Sequence, residues 1–188
     1  MIEKILKETG AMKEGHFLLA SGYHSEFYFQ AQSLLQYPEY ASDAGEQLAA
    51  LWIDEEITTA VSLAIGGIVL GQEVARHLKV RHIFLERKQQ TFSLERGFSV
   101  RPGERILLIE DVVTTGGSLK EAIPVLEETG AYIVGITSIV SRGNAEFRYP
   151  FKYLLSIDWP KYRPEECPLC AKQVPLYAPG TKQSKKTG

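Results

Sequence analysis

The sequence predicts an α/β domain of three layers, with a mainly parallel sheet covered by helices on both faces. Three observations carry this. Short apolar runs recur at residues 59–65, 82–85, 105–109, 132–140 and 153–157. Helical patterns of roughly ten to fifteen residues lie between them, which is what right-handed crossovers between parallel strands require. A chain of 188 residues, 44% apolar, fits one domain and can bury a real core.

In chain order, Ile2, Ile5 and Leu6 fall at helical spacing, and Gly10 supplies a stop. The aromatic triplet Phe27-Tyr28-Phe29 reads as a strand. From Pro38 to about Ile53, one helical face gathers Tyr40, Ala44, Leu48, Leu51 and Trp52, with the proline in the first turn. Strand 59–65 ends at Gly66-Gly67, helix 68–78 follows, and strand 82–85 comes next. Residues 88–97 are polar and aperiodic, with little to bury, and read as a mobile loop. Strand 105–109 leads toward a helix whose start is marked by Ser118 and Glu121, a capping-box spacing. Pro124 inside that helix removes a backbone donor and should kink it. After strands 132–140 and 153–157, Pro160, Pro164, Pro168 and Pro175 and the basic run 182–186 suggest an irregular, surface-hugging tail with a disordered tip.

Composition narrows the function classes. Lys and Arg number 21 against 23 Asp and Glu, so no broad basic surface for nucleic acid or anionic lipid is expected. No apolar run is long enough to span a bilayer, and the charged N-terminus does not read as a signal peptide. Two cysteines make no disulfide framework and suit a cytoplasmic location.

The chemistry concentrates in Leu107-Leu108-Ile109-Glu110-Asp111-Val112-Val113-Thr114-Thr115-Gly116-Gly117-Ser118. An apolar strand delivers two carboxylates to its C-terminal end, where open α/β sheets bind ligands. The hydroxyl and glycine residues that follow open into a helix, whose free N–H groups and positive dipole end attract an anion. Carboxylates beside a phosphate site would repel the phosphate. They suit sugar hydroxyls or a nearby Mg²⁺ instead. The pattern asks for a phosphorylated sugar.

Residues 110–118 resemble the phosphoribosyl pyrophosphate (PRPP) motif of the type I phosphoribosyltransferases. The loop is neither a Walker A sequence nor a GxGxxG fingerprint. The resemblance implies the three-layer fold of that family with a small N-terminal hood. It further implies that Thr114, Thr115, Gly116, Gly117 and Ser118 wrap the 5′-phosphate while Glu110 and Asp111 hold the ribose hydroxyls. Val112, Val113, Gly66, Arg87 and Lys88 complete the PRPP set, with Lys88 and Asp111 as the catalytic candidates. The segment Gly15-His16-Phe17-Leu18-Leu19-Ala20-Ser21-Gly22-Tyr23-His24-Ser25-Glu26-Phe27-Tyr28-Phe29-Gln30 is similar to the hood of the orotate phosphoribosyltransferases, as are Glu86-Arg87-Lys88 and Ser141-Arg142-Gly143. Thr114, Arg142, Tyr28 and Phe29 are then the orotate-binding candidates. A guanidinium fork such as that of Arg142 suits a carboxylate.

On this reading residues 1–188 form one domain, with hood 1–35, mobile loop 86–98 and irregular tail 160–188. The implied reaction joins the phosphoribosyl group of PRPP to orotate with the aid of Mg²⁺. The implied assembly is a homodimer whose loop 88–97 acts in the neighbouring subunit. Many relatives carry lysines at the positions of Ala20 and Gly66 and further loop cations, which this sequence lacks. Two other readings stay open: a phosphoribosyltransferase for another nucleobase, and a non-catalytic regulator that senses PRPP or nucleotides. Cys167-Pro168-Leu169-Cys170 offers only half a zinc site, with no His or Cys after it; pairing across a dimer axis could complete one, but two reduced cysteines in a turn is the favoured reading. His16 and His24 are expected to order the hood through hydrogen bonds, and Trp52 and Trp159 to serve packing.

Overall fold

A computed structural model describes residues 2–19, 21–89 and 91–179. Thirteen of its elements belong to the body and hood. Helix α1 (Ile2–Glu8) leads to a hairpin of β1 (Met12–Leu18) and β2 (His24–Phe29). Helices α2 (Gln32–Leu35) and α3 (Pro38–Ala50) follow, then β3 (Thr59–Leu63), α4 (Gly67–Leu78), β4 (Arg81–Lys88) and β5 (Thr91–Leu94). The remainder is β6 (Arg105–Val113), α5 (Gly117–Glu127), β7 (Tyr132–Arg142) and β8 (Phe151–Ile157). A short helix, α6 (Pro168–Ala171), lies in the tail.

The main sheet runs β5-β4-β3-β6-β7-β8 and is parallel except for β5 at one edge. Its strands sort their side chains with period two. Leu107 and Ile109 join Ala60, Leu48, Trp52 and Leu70 in a core against α3 and α4. Ile106 and Leu108 join Val61, Leu85, Leu119 and Leu126 in a second core against α5. The three layers expected from the sequence are present. From β3 the chain steps one way to β4 and later the other way to β6, so the order reverses between β3 and β6. The crevice beyond their carboxyl ends is the favoured ligand site in such sheets.

Several local expectations need correction. The stretch read as a polar loop is a β-hairpin: β4 runs on to Lys88 and pairs antiparallel with β5. Phe92 is buried there beneath the Arg87 guanidinium, 4.3 Å from the ring centre, so the segment holds more apolar anchoring than its composition suggested. Ser118 does not cap α5. Gly116 takes that position at φ 74°, a left-handed conformation glycine adopts freely, and Glu121 pairs with Arg87 at 2.6 Å. Pro124 sits inside α5 without ending it, because Leu119, Ala122, Ile123 and Leu126 pin that helix to the sheet. The tail does follow the surface as expected: Tyr162 pairs with His24, and Tyr177 with Phe17. The basic run 182–186 lies outside the described residues.

His82 on β4 bonds Ser62 Oγ at 2.8 Å, and burial lowers its imidazole to about 4. Held neutral in the fold, it contributes stability that is complete above its ordinary 6.5 and is lost as pH falls through about 4. Allowing for its partial exposure, this amounts to about 1–2 kcal/mol. Urea unfolding between about pH 7 and 4 should therefore show a shallower loss of stability in His82→Gln than in the parent. Equal slopes would assign the acid sensitivity elsewhere.

Candidate active site

The acidic pair lies near the carboxyl end of β6 at the strand-order reversal, facing the Gly66-Gly67 turn after β3. Glu110 is half-buried, and its carboxyl is pushed up to about 9 by burial and then by the charge of Asp111. Asp111 is held in place by Gln32 Nε2 at 2.8 Å and by the Val112 N–H at 2.9 Å. Gln32 is a positioning contact that no sequence pattern singled out. A Cβ at Gly66 would come within 2.7 Å of Asp111 Oδ2, so a lysine here would have to displace that carboxylate. The departure at Gly66 thus has a steric reason, while Ala20 lies outside the described residues.

The loop that follows is built for an anion. Thr114, Thr115, Gly117 and Ser118 are exposed, while Gly116 is buried against Phe147, 2.5 Å from where a Cβ would stand. Among the described residues no side chain caps α5, so its first N–H groups remain available to a ligand. Glu110, Val112, Val113, Thr114, Gly116 and Ser118 share one small cavity at this point.

Beside it a cavity of about 550 Å³ brings together all four residues expected around a planar acid: Tyr28, Phe29, Thr114 and Arg142. Arg142 is 8% exposed, and its Nε and Nη2 are buried without a hydrogen-bond partner among the described residues. Burial disfavours the charge on that guanidinium. It lies 5.5 Å from the Trp159 ring, which stacks on Phe27 at 5.1 Å, so Trp159 positions the cation besides packing. Lys161 of the tail also lines the cavity, a second cation that sequence reasoning passed over.

Arg87 and Lys88 stand apart. Lys88 Nζ pairs with Glu95 at 3.4 Å on the exposed hairpin, and Arg87 reaches Glu121 on α5. Neither lines the two cavities above. Another cavity of about 510 Å³ opens at the opposite ends of the strands, but its Arg81 is already paired with Glu104 at 2.6 Å.

An acid pair and a glycine-hydroxyl loop at a strand-order reversal define a class of protein that grips a phosphorylated sugar. In agreement, residues 32–161 match the phosphoribosyl transferase domain family. The match begins after the hood hairpin. Over 184 residues the chain is 48% identical to the orotate phosphoribosyltransferase of Thermotoga maritima, covering 97% of this chain and 98% of that one. It is 46% identical over 182 residues to that of Chlorobaculum parvum, covering 96% and 94%. The chain belongs to the orotate phosphoribosyltransferase family. The fold is also that of the orotate phosphoribosyltransferase of Aeropyrum pernix, at 22% identity, TM-score 0.72 and coverage of 84% and 94%. An adenine phosphoribosyltransferase from Thermoanaerobacter pseudethanolicus shares it at 14% identity, TM-score 0.61 and coverage of 70% and 88%.

Proposed function

We propose that this chain transfers the 5-phosphoribosyl group of PRPP to orotate, releasing pyrophosphate and forming orotidine 5′-phosphate. The observation that carries the choice of base is Arg142. A buried guanidinium with two unpartnered nitrogens is costly unless a ligand supplies the acceptor, and a ring carboxylate meets it in fork geometry. Tyr28 and Phe29 give the apolar wall that a planar ring needs.

Thr114, Thr115, Gly116, Gly117 and Ser118 bind the 5′-phosphate on backbone N–H and hydroxyl donors. Asp111 accepts from the ribose hydroxyls, and Glu110, held protonated by burial beside Asp111, can donate to one as well as accept. The α4 N-terminus at Gly66-Gly67 faces the leaving pyrophosphate. As the anomeric C–O bond opens, positive charge grows on the sugar, and the acid pair beneath it favours that state. The donor set of Glu110 and Asp111 is all hard oxygen, short of positive charge, and fits Mg²⁺. When bound with PRPP, the ion would offset the charge of the departing pyrophosphate.

Lys88 faces its own hairpin rather than its own chain's motif, which supports a homodimer in which residues 88–97 serve the neighbouring site. The hairpin closes over bound substrate there and excludes water. The chain's two cysteines, Cys167 and Cys170, form no disulfide, which fits a cytoplasmic protein.

Loss of orotate absorbance on mixing protein, PRPP and Mg²⁺ tests the assignment, and PRPP-dependent pyrophosphate release with adenine or uracil but not with orotate would overturn it. Asp111→Asn should lower kcat/KM for PRPP by about 30-fold while leaving the free energy of unfolding within about 0.5 kcal/mol. Unchanged PRPP use would remove Asp111 from the site.

A further inference from the structure

The tail is joined to the hood around four side chains that the sequence keeps far apart. His16 lies on β1, His24 opens β2, and Cys167 and Cys170 flank the start of α6. One ligand atom from each lies within 4.8 Å of every other. His16 Nε2 stands 2.9 Å from His24 Nδ1 and 3.5 Å from Cys167 Sγ, and Cys170 Sγ is 3.3 Å from His24 Nδ1. The two ligands missing from the CxxC precede it in the chain by more than a hundred residues, which is why spacing alone could not find them. The reading of two reduced cysteines in a turn is too narrow.

We propose that His16, His24, Cys167 and Cys170 form a structural zinc site. Bond lengths of about 2.0–2.1 Å to nitrogen and 2.3 Å to sulfur place tetrahedral ligands about 3.3–3.8 Å apart, the scale found here. The second ring nitrogen of His16 supports the assignment. Nδ1 is 2.8 Å from the Val174 carbonyl, an acceptor only, so Nδ1 carries the proton and the Nε2 lone pair points into the cluster. A carbonyl behind a ligating imidazole is the usual orienting partner at metal sites. Two thiolates, two neutral imidazoles and Zn²⁺ sum to zero charge, which suits a cluster in which His16, His24 and Cys167 are buried. Cys170 is exposed and gives the ion a path in. The mixed sulfur and nitrogen set selects zinc over Mg²⁺ or Ca²⁺. A two-iron cluster would hold the imidazoles and thiolates on separate irons, which nitrogen-sulfur distances of 3.3–3.5 Å do not leave room for.

The ion would staple the tail across the hood. Both segments line the cavity above Arg142, the hood through Tyr28 and Phe29 and the tail through Lys161 and Pro179. The zinc site is therefore placed to hold the base pocket's roof.

The test uses untagged protein from zinc-supplied cells and measures metal content, which stands apart from any assignment of substrate. About one zinc per chain is expected, falling below about 0.1 in His24→Gln/Cys170→Ser. Chelation should lower Tm by roughly 10 °C, reversed by zinc alone. Should the double variant fail to fold, cobalt exchanged into the parent protein answers the same question. Intense visible bands of tetrahedral cobalt together with thiolate charge-transfer absorption would support the site. Less than about 0.1 zinc per chain after incubation of reduced protein with equimolar zinc would overturn it. So would full retention in the double variant, or a cobalt spectrum without thiolate bands.

Discussion

Arg142→Ala is expected to lower kcat/KM for orotate by about 30- to 1,000-fold, the loss of roughly 2–4 kcal/mol from one charge-assisted bidentate contact. The effect should be selective. Uracil, which lacks the carboxylate, should be used as poorly by the variant as by the parent. The apo protein should not suffer, because Nε and Nη2 of Arg142 are buried without partners and the alanine removes that desolvation cost. An unchanged or raised Tm together with the kinetic loss identifies a cation kept for a ligand. Equal losses for both bases, or a large fall in Tm, would instead make Arg142 a structural residue. Trp159→Leu provides the companion measurement. Its removal leaves the charge but frees the guanidinium to move, so KM for orotate should rise by a smaller factor, about 3- to 10-fold.

The parts of this protein that were legible in its sequence share one property: they are local. Residues 107–118 announce a strand, an acid pair and an anion loop within a dozen positions, and the structure assembles them as written. The recurrence of short apolar runs with helical patterns between them likewise predicted a sheet covered on both faces, and Ile106 to Ile109 do divide between the two cores. The failures are of the opposite kind. Residues 88–97 read as a loop because Phe92 and Leu94 are sparse, yet β4 offers them an edge to pair with and α5 a surface to cover. Ser118 has the spacing of a cap, but Gly116 two residues earlier already makes the left-handed turn into the helix. Gln32, Trp159 and Lys161 reach the site from separate elements, and no periodicity marks a residue whose role is set by a neighbour 79 positions away, as with Gln32 and Asp111. The cysteine pair shows the same limit, since its histidine neighbours come from the other end of the chain.

Lys88→Ala is expected to lower kcat by about 100- to 1,000-fold while raising KM for PRPP far less, the pattern of a charge that acts on the leaving group in the transition state. The reason lies in where the lysine stands. Among the described residues its ammonium pairs with Glu95 at 3.4 Å, 71% exposed, and it lines neither cavity at the motif. An exposed pair of this kind contributes little to stability, so the ammonium can leave it for a pyrophosphate at small cost. Closure over a neighbouring subunit would exclude water and strengthen the attraction. Residues 89–97 hold no second lysine, and their other cation, Arg96, is already paired with Glu86 at 2.5 Å, so Lys88 carries most of this function. Mixing Lys88→Ala with Asp111→Asn subunits distinguishes the two arrangements. In a two-fold dimer with loops acting across the interface, each hybrid has one site with both an intact loop and an intact motif. Random exchange of equal amounts makes half the dimers hybrid, so recovery should approach about a quarter of parent activity. If loops serve their own chains, every site in the mixture carries one defect, and activity stays at the average of the two variants. Recovery at that low level despite demonstrated exchange would place Lys88 in its own active site.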